Sequence, residues 1–125
     1  MKLLHGNVLG KGEPLIILHG LFGMGDNWKS LANKYAADFE VHLIDQRNHG
    51  RSFHSDEFSY EFMAEDLGKY IAFHELEEVN LLGHSMGGKT AMLYSTQAEE
   101  VVKKLIVADI SPRYYTPHHQ IITQA

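Results

Sequence analysis

Short apolar runs that alternate with helix-spaced segments constrain this chain more than any other feature. Leu15-Ile16-Ile17-Leu18 is continuously apolar, as expected of a strand buried on both faces. Val41-His42-Leu43-Ile44, Val79-Asn80-Leu81-Leu82 and Leu105-Ile106-Val107-Ala108 read as further strands. Between them, Asn27 to Asp38 carries Trp28, Leu31, Tyr35 and Ala36 at helical spacing, with Asp26 or Asn27 placed to cap it. Ser59 is placed to cap a helix from Tyr60 to about His74 that turns Phe62, Met63, Leu67, Tyr70 and Ile71 inward. A third helix runs from Met86 to about Ala98. Residues 1–5 and 7–9 read as two short edge strands joined near Gly6, and Gly10-Lys11-Gly12 as a turn. Strands alternating with helices predict an α/β fold: a mostly parallel sheet of about six strands with helices on both faces.

Composition narrows the function classes. A length of 125 residues suits one domain. No cysteine is present, so disulfides and thiolate metal sites are excluded and a reducing compartment is allowed. The net charge of −5 and the lack of any basic run beyond Lys103-Lys104 argue against a nucleic-acid partner. No apolar run approaches the roughly 20 residues that span a bilayer. Residues 1–6 are too short and too soon interrupted for a signal peptide, so a cytoplasmic location is expected.

Gly83-His84-Ser85-Met86-Gly87 fits G-x-S-x-G between a strand and a helix. In a nucleophile elbow the serine occupies a strained strand-to-helix turn that projects its hydroxyl from the sheet edge. Strand and helix then approach too closely for side chains two residues away, and Gly83 and Gly87 meet that demand. The same residues also match a phosphate-binding loop. Gly83 to Thr90 reads G-x-x-x-x-G-K-T, and Leu105 to Asp109 resembles the apolar strand whose terminal aspartate supports magnesium. Lys89 and Thr90 are phosphate and metal groups in that reading, and ordinary first-turn residues in the other.

Two further segments bear on the choice. Acyl transfer needs hydrogen-bond donors aimed at an oxyanion. The loop His19-Gly20-Leu21-Phe22-Gly23 follows a buried strand, where Gly20 allows a turn sharp enough to aim the Leu21 amide. Asp45 to Ser52 is a polar loop for which a phosphate-binding protein has no use; an Asp45–Arg47 ion pair is expected to brace it.

Taken together, His19-Gly20-Leu21-Phe22-Gly23, Asp45-x-Arg47-x-His49-Gly50-x-Ser52 and Gly83 to Gly88, in this order, resemble the α/β-hydrolase superfamily, and most nearly its small bacterial esterases and acyl-thioesterases. The resemblance implies a mostly parallel sheet whose first two strands are antiparallel. It implies Ser85 as nucleophile of a Ser–acid–His triad, and the amides of Leu21 and Met86 as oxyanion hole. His19, Gly20, Gly83, His84 and Gly87 support that site. Asp109, at the end of the Leu105 to Ala108 strand, matches the acid in some members; in others the acid follows a later strand. Neither metal nor cofactor is implied, and the substrate is a small-molecule ester or thioester.

The family supplies its histidine near the C-terminus, and none of the nine histidines here fits that place. Residues 1–125 are therefore expected to be the N-terminal part of a single hydrolase domain, with 111–125 starting a lid segment, and to be nearly inactive alone. A catalytically dead hydrolase-fold binding module is a third reading.

Overall fold

The computed structural model describes residues 2–108. Asp109 and the expected lid segment 111–125 lie outside the described residues.

Among the described residues, five strands and three α-helices follow one another: β1 (His5–Leu9), β2 (Glu13–Leu18), α1 (Lys29–Tyr35), β3 (Phe39–Asp45), α2 (Tyr60–Phe73), β4 (Val79–His84), α3 (Met86–Gln97) and β5 (Val102–Ala108). They build one sheet in the order β1-β3-β2-β4-β5. β2, β3, β4 and β5 run parallel, and β1 joins β3 antiparallel at the edge.

The mostly parallel sheet agrees with the sequence reading, and the strand count is corrected. Among the described residues there are five strands, because the two short strands read over 1–5 and 7–9 are one. Gly6 is no turn. It pairs with Ile44 inside β1, and a Cβ there would collide with the Tyr70 ring. A glycine in a strand marks a close approach as often as a bend. β1 and β2 run antiparallel to each other, as the resemblance implied, with β3 lying between them.

Period-two alternation divides the core between the two faces of the sheet. Ile16, Leu18, Ile44 and Leu81 pack with Ala64, Leu67, Tyr70 and Ile71 of α2 and Ala91 and Tyr94 of α3. Leu15, Ile17, Val41, Leu43 and Leu82 face the other way, toward Ala32 of α1. Ser59 caps α2 as expected, accepting a hydrogen bond from the Phe62 NH at 3.1 Å. The helix expected from Asn27 starts differently. Gly25–Trp28 form a 3₁₀ turn before α1, and the Asn27 side chain accepts the Met24 NH instead of capping an α-helix. Among the described residues no helix is long and apolar enough to cross a membrane.

Candidate active site

Parallel strands point their C-terminal ends the same way, so the loops that leave them meet along one edge. In the sheet register Leu18 of β2 lies beside Gly83 of β4, and His84 lies beside Ala108 of β5. The 19–23 loop and the Ser85 turn are therefore neighbours.

β4 ends at His84 and α3 begins at Met86, so Ser85 alone makes the turn. It takes φ 54° and ψ −112°, in the left-handed half of the map that residues with a Cβ avoid. Its NH donates to the Ala108 carbonyl at 3.0 Å, which pins the turn to the neighbouring strand. Its side chain is exposed, whereas Gly83, Met86, Gly87 and Gly88 around it are buried. A Cβ on Gly83 would run into the Gly87 carbonyl, and one on Gly87 into the carbonyls of Leu18 and His19. The packing that presses this helix start against two strands thus requires glycine at both positions.

This geometry is not a phosphate loop. Met86, Gly87 and Gly88 are already helical, so their amides are not splayed around an open cradle. Thr90 is buried and its hydroxyl donates back to the Met86 carbonyl at 3.2 Å. Lys89 lies over the Tyr60 ring, 5.8 Å from its centroid.

On the β2 side, the Gly23 NH closes a turn onto the Gly20 carbonyl at 3.0 Å, with Leu21 and Phe22 at its exposed tip. His19 is buried beneath it. Its Nε2 accepts the Gln46 NH at 2.9 Å, which leaves Nδ1–H to donate to the Gly20 carbonyl at 2.7 Å. Burial pushes the His19 pKa down, favouring the neutral ring that this arrangement needs. His84 packs against Trp28, with ring centroids 5.4 Å apart, and close to Gly20. Together with Leu21, Phe22 and Asn27 they line a cleft of about 320 Å³, which reaches the serine turn at His84.

The expected Asp45–Arg47 ion pair does not form. Asp45 instead accepts two main-chain NH groups, from Gly25 at 2.6 Å and Arg51 at 3.0 Å. Arg47 turns to Asp66 of α2, giving Nε and Nη2 to its two carboxylate oxygens at 2.7 and 2.9 Å, and Nη1 to the Glu57 carbonyl at 2.5 Å. The rings of Phe53 and Phe62 lie against the guanidinium, 5.2 and 4.9 Å away.

His49, read in the sequence only as part of a motif and given no role, reaches the 19–23 loop. Its Nε2 accepts the Phe22 NH at 3.0 Å, and its Nδ1 faces the Arg47 carbonyl at 2.9 Å. Its place in the D-x-R-x-H-G segment was the available signal. His19, His42 and His49 each have both ring nitrogens engaged, His42 with Tyr70 and Glu40. None of these three has a free nitrogen to serve as a base.

Residues 13–125 match the alpha/beta hydrolase fold family. A Haemophilus influenzae protein provisionally named esterase/lipase is 48% identical over 101 residues, covering 81% of this chain and 35% of that protein. The mouse sn-1-specific diacylglycerol lipase ABHD11 is 46% identical over 109 residues, 86% of this chain and 36% of that one. Among solved structures, a marine microorganism esterase superimposes with a TM-score of 0.86 at 55% identity, covering 97% of this chain and 48% of that one. The chain spans between about a third and a half of the length of these relatives. The fold, the serine turn and these matches agree: the chain belongs to the alpha/beta hydrolase fold family.

Proposed function

We propose that this chain carries the nucleophile and oxyanion hole of a serine hydrolase that cleaves carboxylic esters or thioesters, and that it forms the N-terminal part of a single hydrolase domain. The carrying observation is the exposed Ser85 side chain on a one-residue turn with φ 54°, at the strand edge where the Gly20–Gly23 turn also lies. The names of the mouse lipase and the marine esterase point to the same chemistry.

In this reading the Ser85 hydroxyl oxygen attacks the carbonyl carbon, and its proton passes to a histidine supplied from beyond residue 125. The carbonyl π-pair moves onto oxygen, where the NH groups of Leu21 and Met86 receive it. The start of α3 adds a positive dipole end beneath the same point. Collapse expels the alcohol or thiol, which takes the proton, and water repeats the sequence to free the acid. Asp109 is the proposed acid that orients the histidine. A cytoplasmic location, consistent with a chain free of cysteine, belongs to the same proposal.

The test uses the intact protein, including any sequence past residue 125. A fluorophosphonate is expected to label Ser85, and Ser85→Ala to lower turnover of a nitrophenyl ester by about 10⁶-fold. Parallel ester and thioester substrates define the leaving group. Full turnover by Ser85→Ala would refute the proposal. A native protein that neither reacts with the probe nor hydrolyses either substrate would support the inactive binding module instead.

A further inference from the structure

We propose that His49 is a positioning residue for the main-chain donor at Leu21, an inference that rests on the oxyanion role proposed for that amide. The turn that presents Leu21 is held at two adjacent peptide planes. The first contains the Gly20 carbonyl and the Leu21 NH. Its oxygen accepts from the Gly23 NH at 3.0 Å and from His19 Nδ1–H at 2.7 Å, so the Leu21 NH on the opposite side of that plane is directed outward.

The second plane carries the Phe22 NH and has less support of its own. Phe22 stands at φ 62°, a conformation that bulky residues rarely adopt. Its side chain is 90% exposed, so packing contributes little to holding it there. Such backbone persists only where its surroundings over-determine it. The bond from the Phe22 NH to His49 Nε2, at 3.0 Å, supplies that hold from a different loop.

His49 is itself set for this task. Its Nδ1 lies 2.9 Å from the Arg47 carbonyl and must carry the proton, which leaves a lone pair on Nε2 to accept. The two-point bond from Arg47 to Asp66 fixes the segment that bears this carbonyl. The His19 and His49 rings lie 5.0 Å apart, so neighbouring imidazoles grip neighbouring peptide planes. Removing His49 frees the second plane, and the Leu21 NH then samples directions that miss a developing oxyanion. Asn27, Trp28 and His84 line the cleft without help from His49, which lines a neighbouring hollow past Leu21 and Phe22, so substrate binding against them is affected less.

The experiment compares His49→Ala and His49→Gln in the intact protein by nitrophenyl ester kinetics and thermal unfolding. For a folded His49→Ala, kcat is expected to fall by about tenfold or more while KM stays within about threefold. His49→Gln keeps an acceptor near the Nε2 position and is expected to hold kcat within about threefold of native, a rescue that loss of packing alone would not give. A smaller fall in the alanine variant, or a folded glutamine variant as impaired as the alanine one, overturns the inference. If the alanine variant does not fold, the glutamine variant decides by the same thresholds. Ser85→Ala is run beside them. Turnover that survives it overturns the reading of the site and this inference together, whereas turnover that needs Ser85 and ignores His49 overturns this inference alone.

Discussion

Leu21 allows a backbone group to be tested apart from the side chain attached to it. It occupies the second position of the turn closed by the Gly23 NH on Gly20, and the positive φ falls on Phe22, the third. Proline is welcome at the second position of such a turn, and the preceding residue, Gly20, tolerates what proline demands of it. Leu21→Pro therefore deletes one NH and leaves the turn. The expected result is a fall in kcat of about 10²–10³-fold at near-native thermal stability, measured by ester kinetics and calorimetry. Native turnover would remove Leu21 from the oxyanion hole. At this scale the sequence was most legible where sterics leave no choice. Gly83 and Gly87 were readable because only glycine fits against the carbonyls they touch. His49 was legible only as a member of the D-x-R-x-H-G segment, because a histidine in a polar loop gives no local sign of which distant NH its ring will meet.

At the scale of elements, the link between the β3–α2 loop and α2 runs through Arg47 and Asp66. Both side chains are nearly inaccessible, at 7% and 3%. Removing one charge strands the other, which costs about 3–5 kcal/mol, whereas replacing both with apolar groups costs far less. Asp66→Asn is expected to lower the unfolding free energy by about that amount, and the pair Arg47→Met with Asp66→Leu to recover part of it, as read from denaturant midpoints. Equal losses in the two proteins would mean that the pair contributes through shape alone. Strands and helices were legible to within a few residues because their apolar periods are strong: α2, with Ser59 as its cap, was expected to His74 and ends at Phe73. The partner of Arg47 was not legible. Asp45 lies two residues away in sequence and drew the assignment, but its carboxylate is spent on the amides of Gly25 and Arg51. Asp66 sits among the inward positions of an amphipathic helix, where period alone predicts an apolar residue.

At the scale of the whole molecule, the two faces of the sheet differ in cover. The α2–α3 face is closed by two helices that pack on each other. On the α1 face, Trp28, Leu31, Tyr35, Phe39, Leu82 and Ile106 line a mainly apolar hollow of about 430 Å³, to which Glu13, Asn80, Lys103 and Lys104 add polar groups. β5 is paired on one side only among the described residues. An apolar hollow beside an unpaired strand edge favours association. Residues 1–125 expressed alone are expected to self-associate, as measured by light scattering across a concentration series; a monomer at every concentration would contradict this. Fold class was legible at this scale because alternating strands and helices admit few arrangements. The strand count was less so, because Gly6 reads locally as a break and only the Tyr70 ring shows why glycine sits within a strand.

The common direction of β2, β3, β4 and β5 divides the molecule into a working end and a silent end. Residues 19–23, 45–52 and 83–87 all leave the sheet at its C-terminal rim, while the chain returns through 10–12, 76–78 and 98–101 at the opposite rim. Among the described residues, the rim of return carries none of the groups proposed to take part in chemistry. Tags, tethers and inserted epitopes belong there, where they can change what the protein is attached to without altering what it is proposed to do.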